Sequence, residues 1–413
     1  MKLTIVRLDH SVAEIKITSP GIDVDNLSRT VFDHLSCKSA LGEPSSPRWY
    51  SFAKRNASGN SSLEETLIKS IMRYFKEPDR WTAFASLLLK SIAFHRHIDP
   101  NLSVDVVAKI SLPVIDLPRT KFNRPYLPQT AAGKTWTRVA DEEEVEECRE
   151  SVMNVSHQFP YICMIQKQCN DHTTSSAQLP YDMIGCDLVT FEAMLNKYSP
   201  TVTDFIESFV GCFTTSEWQA ISNDAGSLPR SDESILKEFY LRWAMKEAYT
   251  KALGVGMNVD FDSFETRLIG HDVDSTNVEG VWKASEGIWG SIIKDMQLDE
   301  SSCRVEHQFS LVGQVIRTRE QNSDVVQGPK WEGEYWVFTF LPIVNDGLRN
   351  SSIQSDDTAS SGCVCICKGP FNGEAVASPN SKQHHVNIES LTLLELIQLH
   401  GMKASDIDMT RHK

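Results

Sequence analysis

The chain has 413 residues, 41% of them apolar, enough length and content for two or three domains with filled cores. A formal charge of −14 argues against general nucleic-acid binding through a basic surface, and leaves small anionic ligands to be met by local basic pockets. No apolar run approaches the roughly 20 residues a membrane span needs, and the N-terminus meets an acid and a histidine too early for a secretory signal. A soluble, cytoplasmic protein is expected, one that binds neither nucleic acid nor membrane.

Residues 1–17 alternate enough for an opening strand, and the Ser/Pro-rich stretch at 42–62 reads as a loop. From Leu63 to about Phe94 the pattern is helical, broken once by Pro78. Leu67, Ile71, Tyr74 and Phe75 share a face before the break, and Leu87, Leu88, Ile92 and Phe94 follow after it. Pro-rich sequence at 113–128 is irregular, and the acidic run at 141–147 is a solvated loop or helix face. Tyr161–Ile165 and Met183–Val189 read as buried strands. The polar stretch between them marks a domain boundary, giving halves at 1–178 and 179–413.

A second helical region spans 190–253, interrupted near 222–232, and the remainder is strand-rich: Val305–Val312, Trp331–Leu341 and Cys363–Lys368. A Ser/Asp-rich loop at 350–362 and a last amphipathic helix at 391–408 complete the chain. The mixed order of strands and helices in each half predicts an α+β fold. Ten cysteines are scattered, except for Cys363-Val-Cys365-Ile-Cys367, whose alternation puts the thiols on one strand face without zinc-site spacing. These three are expected to be small core side chains. The pairs His384/His385 and His95/His97 are read as surface or satisfied core residues.

The chemistry concentrates in Trp243 to Gly256. At about 100° per residue, Leu236, Phe239, Tyr240 and Trp243 form one apolar stripe, the face a helix buries. Glu247 falls in the middle of that stripe, with Lys251 one turn further along its edge. A buried carboxylate needs a cation, a metal or a task. An i,i+4 ion pair with Lys251 is the bland alternative, but such pairs normally sit on a wet face. Asp187, inside the apolar run Ile184–Val189, is a second carboxylate in an unexpected place. Asn154-Val155-Ser156-His157 adds a hydroxyl and an imidazole just before a buried strand.

Order and spacing together resemble the 4′-phosphopantetheinyl transferases of the surfactin-synthetase-activating type, in their fungal and eukaryotic form. The motifs are Asn123-Arg124-Pro125-Tyr126-Leu127-Pro128; Met153-Asn154-Val155-Ser156-His157; Gly185-Cys186-Asp187; Phe213 to Trp218; and Trp243-x-x-Lys246-Glu247-Ala248-x-x-Lys251-x-x-Gly254-x-Gly256. Tyr74 to Ile92 is similar to the family's first CoA-contacting helical region. The likeness is good over about 63–256 and rests on general pattern beyond 260.

The resemblance implies a pseudodimer of two similar α+β halves, each a small antiparallel sheet with helices. The implied reaction carries 4′-phosphopantetheine from coenzyme A to a serine of an acyl- or peptidyl-carrier domain, releasing adenosine 3′,5′-bisphosphate. Such an enzyme is expected to be a monomer. Its partners are carrier domains of the aminoadipate reductase, polyketide or nonribosomal peptide type.

Mg²⁺ is the implied cofactor, and typically takes one or two protein carboxylates, here Asp187 and Glu247. Lys251 is placed for the phosphate and the leaving side, and Lys246 is a further candidate phosphate contact, with a solvated position as the alternative. Glu247, directly or through a water, is the expected base; His157 is the less favoured one. Ser156 and His157 are assigned to the nucleotide phosphates, Arg124 to the ribose or 3′-phosphate, and Lys76 and Arg80 to further phosphate contacts. Bacterial members commonly carry a third acid where this chain has Val189, so two protein ligands are expected. A CoA-binding homologue without transfer activity is the rival reading, and the presence of Asp187, Glu247 and Lys251 together argues against it.

Overall fold

The computed structural model describes residues 1–8, 12, 23–31, 63–98, 117, 125, 153–167, 178–192, 195, 197–222, 230–269, 309–317, 335–343, 362–371 and 386–400. Arg124, the acidic run at 141–147, His384 and His385 lie outside them, as does the 350–362 loop up to its last residue. The side chains of His95 and His97 are likewise outside the description. The fold is α+β, as expected, and the chain divides into two compact units. One takes 1–148, 155–172 and 387–413; the other takes 149–154 and 173–386.

In the first unit, β1 (Lys2–Arg7), β2 (Met153–Gln158) and β3 (Tyr161–Gln166) join β9 (Asn387–Thr392) in the order β2-β3-β1-β9. β1 runs antiparallel to β3 and parallel to β9. The sequence assigns everything after 178 to the second half, whereas Asn387 onward returns to pair with the first strand. Glu389 secures that return. Arg96 grips it with two bonds of 2.8 and 2.9 Å, Lys2 stands 3.1 Å away, and Thr4 donates at 3.0 Å.

Helices α1 (Leu63–Met72) and α2 (Glu77–Ile98) flank the Pro78 break. Pro78 lies in the first turn of α2, where its missing N–H costs nothing, so the break precedes it. Tyr74 and Phe75 consequently lie past the end of α1, and Phe75 is 95% exposed rather than part of the buried face. Leu67 and Ile71 do lie in the core, as do Trp81, Phe84, Leu88 and Ile92.

The second unit is built on a five-stranded sheet in the order β4-β8-β7-β6-β5. Its strands are β4 (Gln178–Thr190), β5 (Phe264–Ile269), β6 (Phe309–Arg317), β7 (Tyr335–Ile343) and β8 (Gly362–Phe371), and neighbours pair antiparallel. Cys363, Cys365 and Cys367 are free and buried on β8, as the alternation predicts. Burial pushes all three thiols well above the ordinary cysteine range, which leaves them unreactive.

Among the described residues of this unit are the helices α3 (Val202–Glu207), α4 (Thr215–Ser222) and α5 (Asp232–Leu253). The last carries the Trp243–Leu253 stretch. Ser231 caps its N-terminus by accepting from Ser234 N at 3.2 Å, and Asp232 and Glu233 favour the first turn. Gly254 ends it at φ 78°, a left-handed conformation that costs glycine little. α5 is buried on nearly every side: aromatic rings of Phe205, Phe209 and Phe213 cluster on Phe239, and Tyr249 stacks edge-on with Trp336. Beyond β9, helix α6 (Leu393–Leu399) confirms a short part of the amphipathic stretch expected at 391–408.

Candidate functional site

The site begins with a glycine. A Cβ on Gly185 would stand 2.1 Å from Ala248 O and 2.4 Å from Ala252 N, so the backbone of α5 rests directly on β4 at this point. The small side chains of Ala248 and Ala252 permit the approach, and both are buried. Asp187 lies two residues further along β4, hence on the same face, opposite Cys365 of β8. Glu247 and Lys251 flank the alanine contact on α5. Close packing at Gly185 thus brings the strand acid to the helix acid.

The three groups meet. Lys251 Nζ is 2.6 Å from Asp187 Oδ1 and 3.6 Å from Glu247 Oε2. The two carboxylates are therefore no further apart than one ammonium can reach. Asp187 is 5% exposed and Glu247 7%. Burial pushes the Glu247 carboxyl above the ordinary glutamate range; Lys251 pulls it down and Asp187 pushes it up again. Burial disfavours the charge on Lys251, but Asp187 and Glu247 outweigh it and raise its pKa. A backbone bond fixes the strand beside the acid: Cys186 N donates to Asn154 Oδ1 at 2.9 Å.

Lys246 has a different task from the phosphate contact or solvated residue expected of it. It is fully buried, 2.8 Å from Glu217 Oε2, and donates to Phe261 O at 2.7 Å and Phe264 O at 2.6 Å. The Phe264 ring lies 4.3 Å from its ammonium. An ammonium so enclosed reaches no ligand, because the helix has no wet face at this turn. Burial lowers its pKa, and Glu217 works in the opposite direction.

Glu217 completes a capping box with Thr214: Thr214 N donates to Glu217 Oε2 at 3.1 Å, and Glu217 N to Thr214 Oγ1 at 3.2 Å. Its other oxygen accepts from Thr266 N at 3.2 Å. The capping spacing at Thr214 and Glu217 is visible in the sequence; the link to Lys246 is not. Asn154 stands in a sequence motif that by itself assigns it no role.

The remaining candidates lie in the first unit. Ser156 is buried and His157 exposed, neighbours on β2. Lys76 is exposed between α1 and α2. Arg80 donates to Tyr74 O at 2.8 Å and Phe75 O at 3.4 Å and stands 3.9 Å from Asp25, so its guanidinium closes the α1–α2 corner.

Two buried carboxylates could hold a hard cation, and the lysine beside them a phosphate oxyanion. The donor set fits Mg²⁺, which favours carboxylate oxygen and completes its shell with water and phosphate. Among the described residues no cluster of three or more His, Cys, Asp or Glu offers a fuller metal site, and Val189 is a buried apolar residue. Residues 183–286, which include all three groups, match the family model of the 4′-phosphopantetheinyl transferase superfamily.

The L-aminoadipate-semialdehyde dehydrogenase-phosphopantetheinyl transferase of Schizosaccharomyces pombe is similar to this chain, 26% identical over 200 residues. The match takes in 48% of this chain and 60% of that relative, so the chain spans less than two thirds of the relative's length.

Proposed function

We propose that the chain transfers 4′-phosphopantetheine from coenzyme A to a serine hydroxyl of a carrier-protein domain, with Mg²⁺ as cofactor. The observation that carries this is the meeting of Asp187, Glu247 and Lys251 inside the segment that matches the transferase superfamily. The similar fission-yeast protein supports an aminoadipate reductase carrier domain as one acceptor. The two-unit build, with a sheet in each unit, supports the pseudodimer architecture. No described helix is long and apolar enough to cross a membrane.

In the reaction, the serine oxygen forms a bond to the pantetheine-side phosphorus while the pyrophosphate bridge breaks and adenosine 3′,5′-bisphosphate leaves. Catalysis of this kind is largely positioning and charge neutralisation. Asp187 and Glu247 would hold Mg²⁺, which would supply neutralisation of the pyrophosphate charge. Glu247, directly or through a water, accepts the serine proton. Lys251 holds the charge that develops on the departing phosphate. Roles for Ser156, His157, Arg124, Lys76 and Arg80 at the nucleotide are carried by the motifs alone.

The test is to incubate the full chain with CoA, Mg²⁺ and an apo carrier domain and to weigh the carrier. A gain of about 340 Da, the formula mass of the added group, that disappears with EDTA supports transfer and metal dependence together. Asp187→Asn and Glu247→Gln are expected to lose at least about a hundredfold in rate while remaining folded. Retained turnover in either variant sinks the metal assignment. CoA binding without transfer to any carrier domain would favour the inactive homologue.

A further inference from the structure

Asp187 and Glu247 are two buried carboxylates, and the Lys251 ammonium contacts both. We propose that Lys251 is the resident counter-ion of the acidic pair and must yield that position before a divalent metal can bind. This rests on the metal reading above. The ammonium, 2.6 Å from Asp187 Oδ1 and 3.6 Å from Glu247 Oε2, stands between the two carboxylates on which a metal would draw. Two cations crowded onto the same buried pair repel one another.

The surroundings allow one lysine to move and fix the other. Lys251 is in the last turn of α5, its side chain 23% exposed, on a flexible four-carbon stem. Lys246, five residues earlier, is wholly enclosed and tied to Glu217 and two backbone carbonyls. Displacement therefore falls on Lys251. Once displaced, its ammonium has given up its carboxylates beside the site the metal now occupies, and the nearest compensation is the phosphate that the metal binds. Metal and pyrophosphate-bearing ligand then favour each other through the lysine, in addition to their direct contact. In the absence of metal, the same lysine keeps the two acids from repelling one another.

The test uses the full chain with Mn²⁺ as the probe and no CoA, reading free Mn²⁺ by electron paramagnetic resonance. Lys251→Met keeps the apolar stem and removes the competitor, so its Mn²⁺ affinity is expected to rise at least about tenfold over the parent. Asp187→Asn, expected to lose binding, establishes that the signal comes from this pair. Lys251→Arg covers the case in which Lys251→Met fails to fold. Its guanidinium forks onto carboxylates and stays charged, so Mn²⁺ should bind several-fold more weakly than to the parent.

A folded Lys251→Met protein with unchanged or weaker Mn²⁺ affinity overturns the proposal and leaves the metal reading standing, as does a Lys251→Arg protein that binds as tightly as the parent. Mn²⁺ bound by neither the parent nor Lys251→Met overturns both.

Discussion

Replacing Glu217 by glutamine tests whether the buried pair on the far side of α5 holds the helix in place. Glutamine keeps the shape, but its single amide oxygen can accept from Thr214 N or Thr266 N and not from both, so the change removes the charge together with one backbone acceptor. Lys246 would remain fully buried, with two carbonyl partners and no carboxylate. Removing one partner of such a pair costs about 3–5 kcal/mol, because the other charge is left uncompensated. For a unit of this size that corresponds to a fall in Tm of roughly 6–20 °C.

The pH dependence has a definite sign. Burial already lowers the Lys246 pKa below its unfolded value, so the unfolded chain binds more protons and stability rises with pH towards the ordinary lysine range. Without Glu217 the folded value falls further, and the deficit of Glu217→Gln should shrink as pH rises from neutral towards that range and Lys246 loses its proton. Chemical denaturation of the full chain, followed across that range, reads both effects. Glu217→Gln combined with Lys246→Met should be more stable than Glu217→Gln alone, since it removes the orphaned charge. A cost below about 1 kcal/mol for Glu217→Gln, or strict additivity in the double variant, refutes the reasoning.

Two further outcomes follow from other contacts. Gly185→Ala drives a methyl group into the backbone of α5 at Ala248 and Ala252 and should cost about 3 kcal/mol or more, with weaker Mn²⁺ binding because Asp187 moves with the strand; a variant of parental stability would remove the close approach from the account. Glu389→Gln should cost about 1–3 kcal/mol at pH 7. Burial favours protonation of Glu389, but Arg96 and Lys2 outweigh it and lower its pKa. Its contribution is thus present above the ordinary glutamate value and lost as pH falls through the depressed one, so the parent should lose its advantage over Glu389→Gln in acid denaturation.

The elements most legible in the sequence were those whose pattern is set within one segment. β3 and the core of β4 read as buried runs, and the stripe from Leu236 to Trp243 identified a helix that buries Glu247. What failed depended on partners far away in the chain. Lys246 looked available because a helical wheel turns it away from Glu247 and assumes water beyond; Phe213, Glu217, Phe261 and Phe264 come from three other segments to cover it. β9 carries the weak pattern of a half-exposed strand, and its place depends on the parallel pairing with β1 and on Arg96 reaching Glu389. Gly185 could be quoted from a motif, but the helix backbone lying against it could not.

The adjacent residues Lys246 and Glu247 divide the work of one helix. A helix that presents one acid beside the acid of a neighbouring strand must not rotate or slide, since a misplacement of about 1 Å can cost a hundredfold in rate. α5 is held against both movements. Gly185 leaves no gap for the Ala248–Ala252 backbone to shift into, and Lys246 is anchored by Glu217 and by the carbonyls of Phe261 and Phe264. Rotating the helix by one residue would pull that ammonium from its carboxylate and put Glu247 in the core. The charge inside the core therefore fixes the direction of the charge at the site.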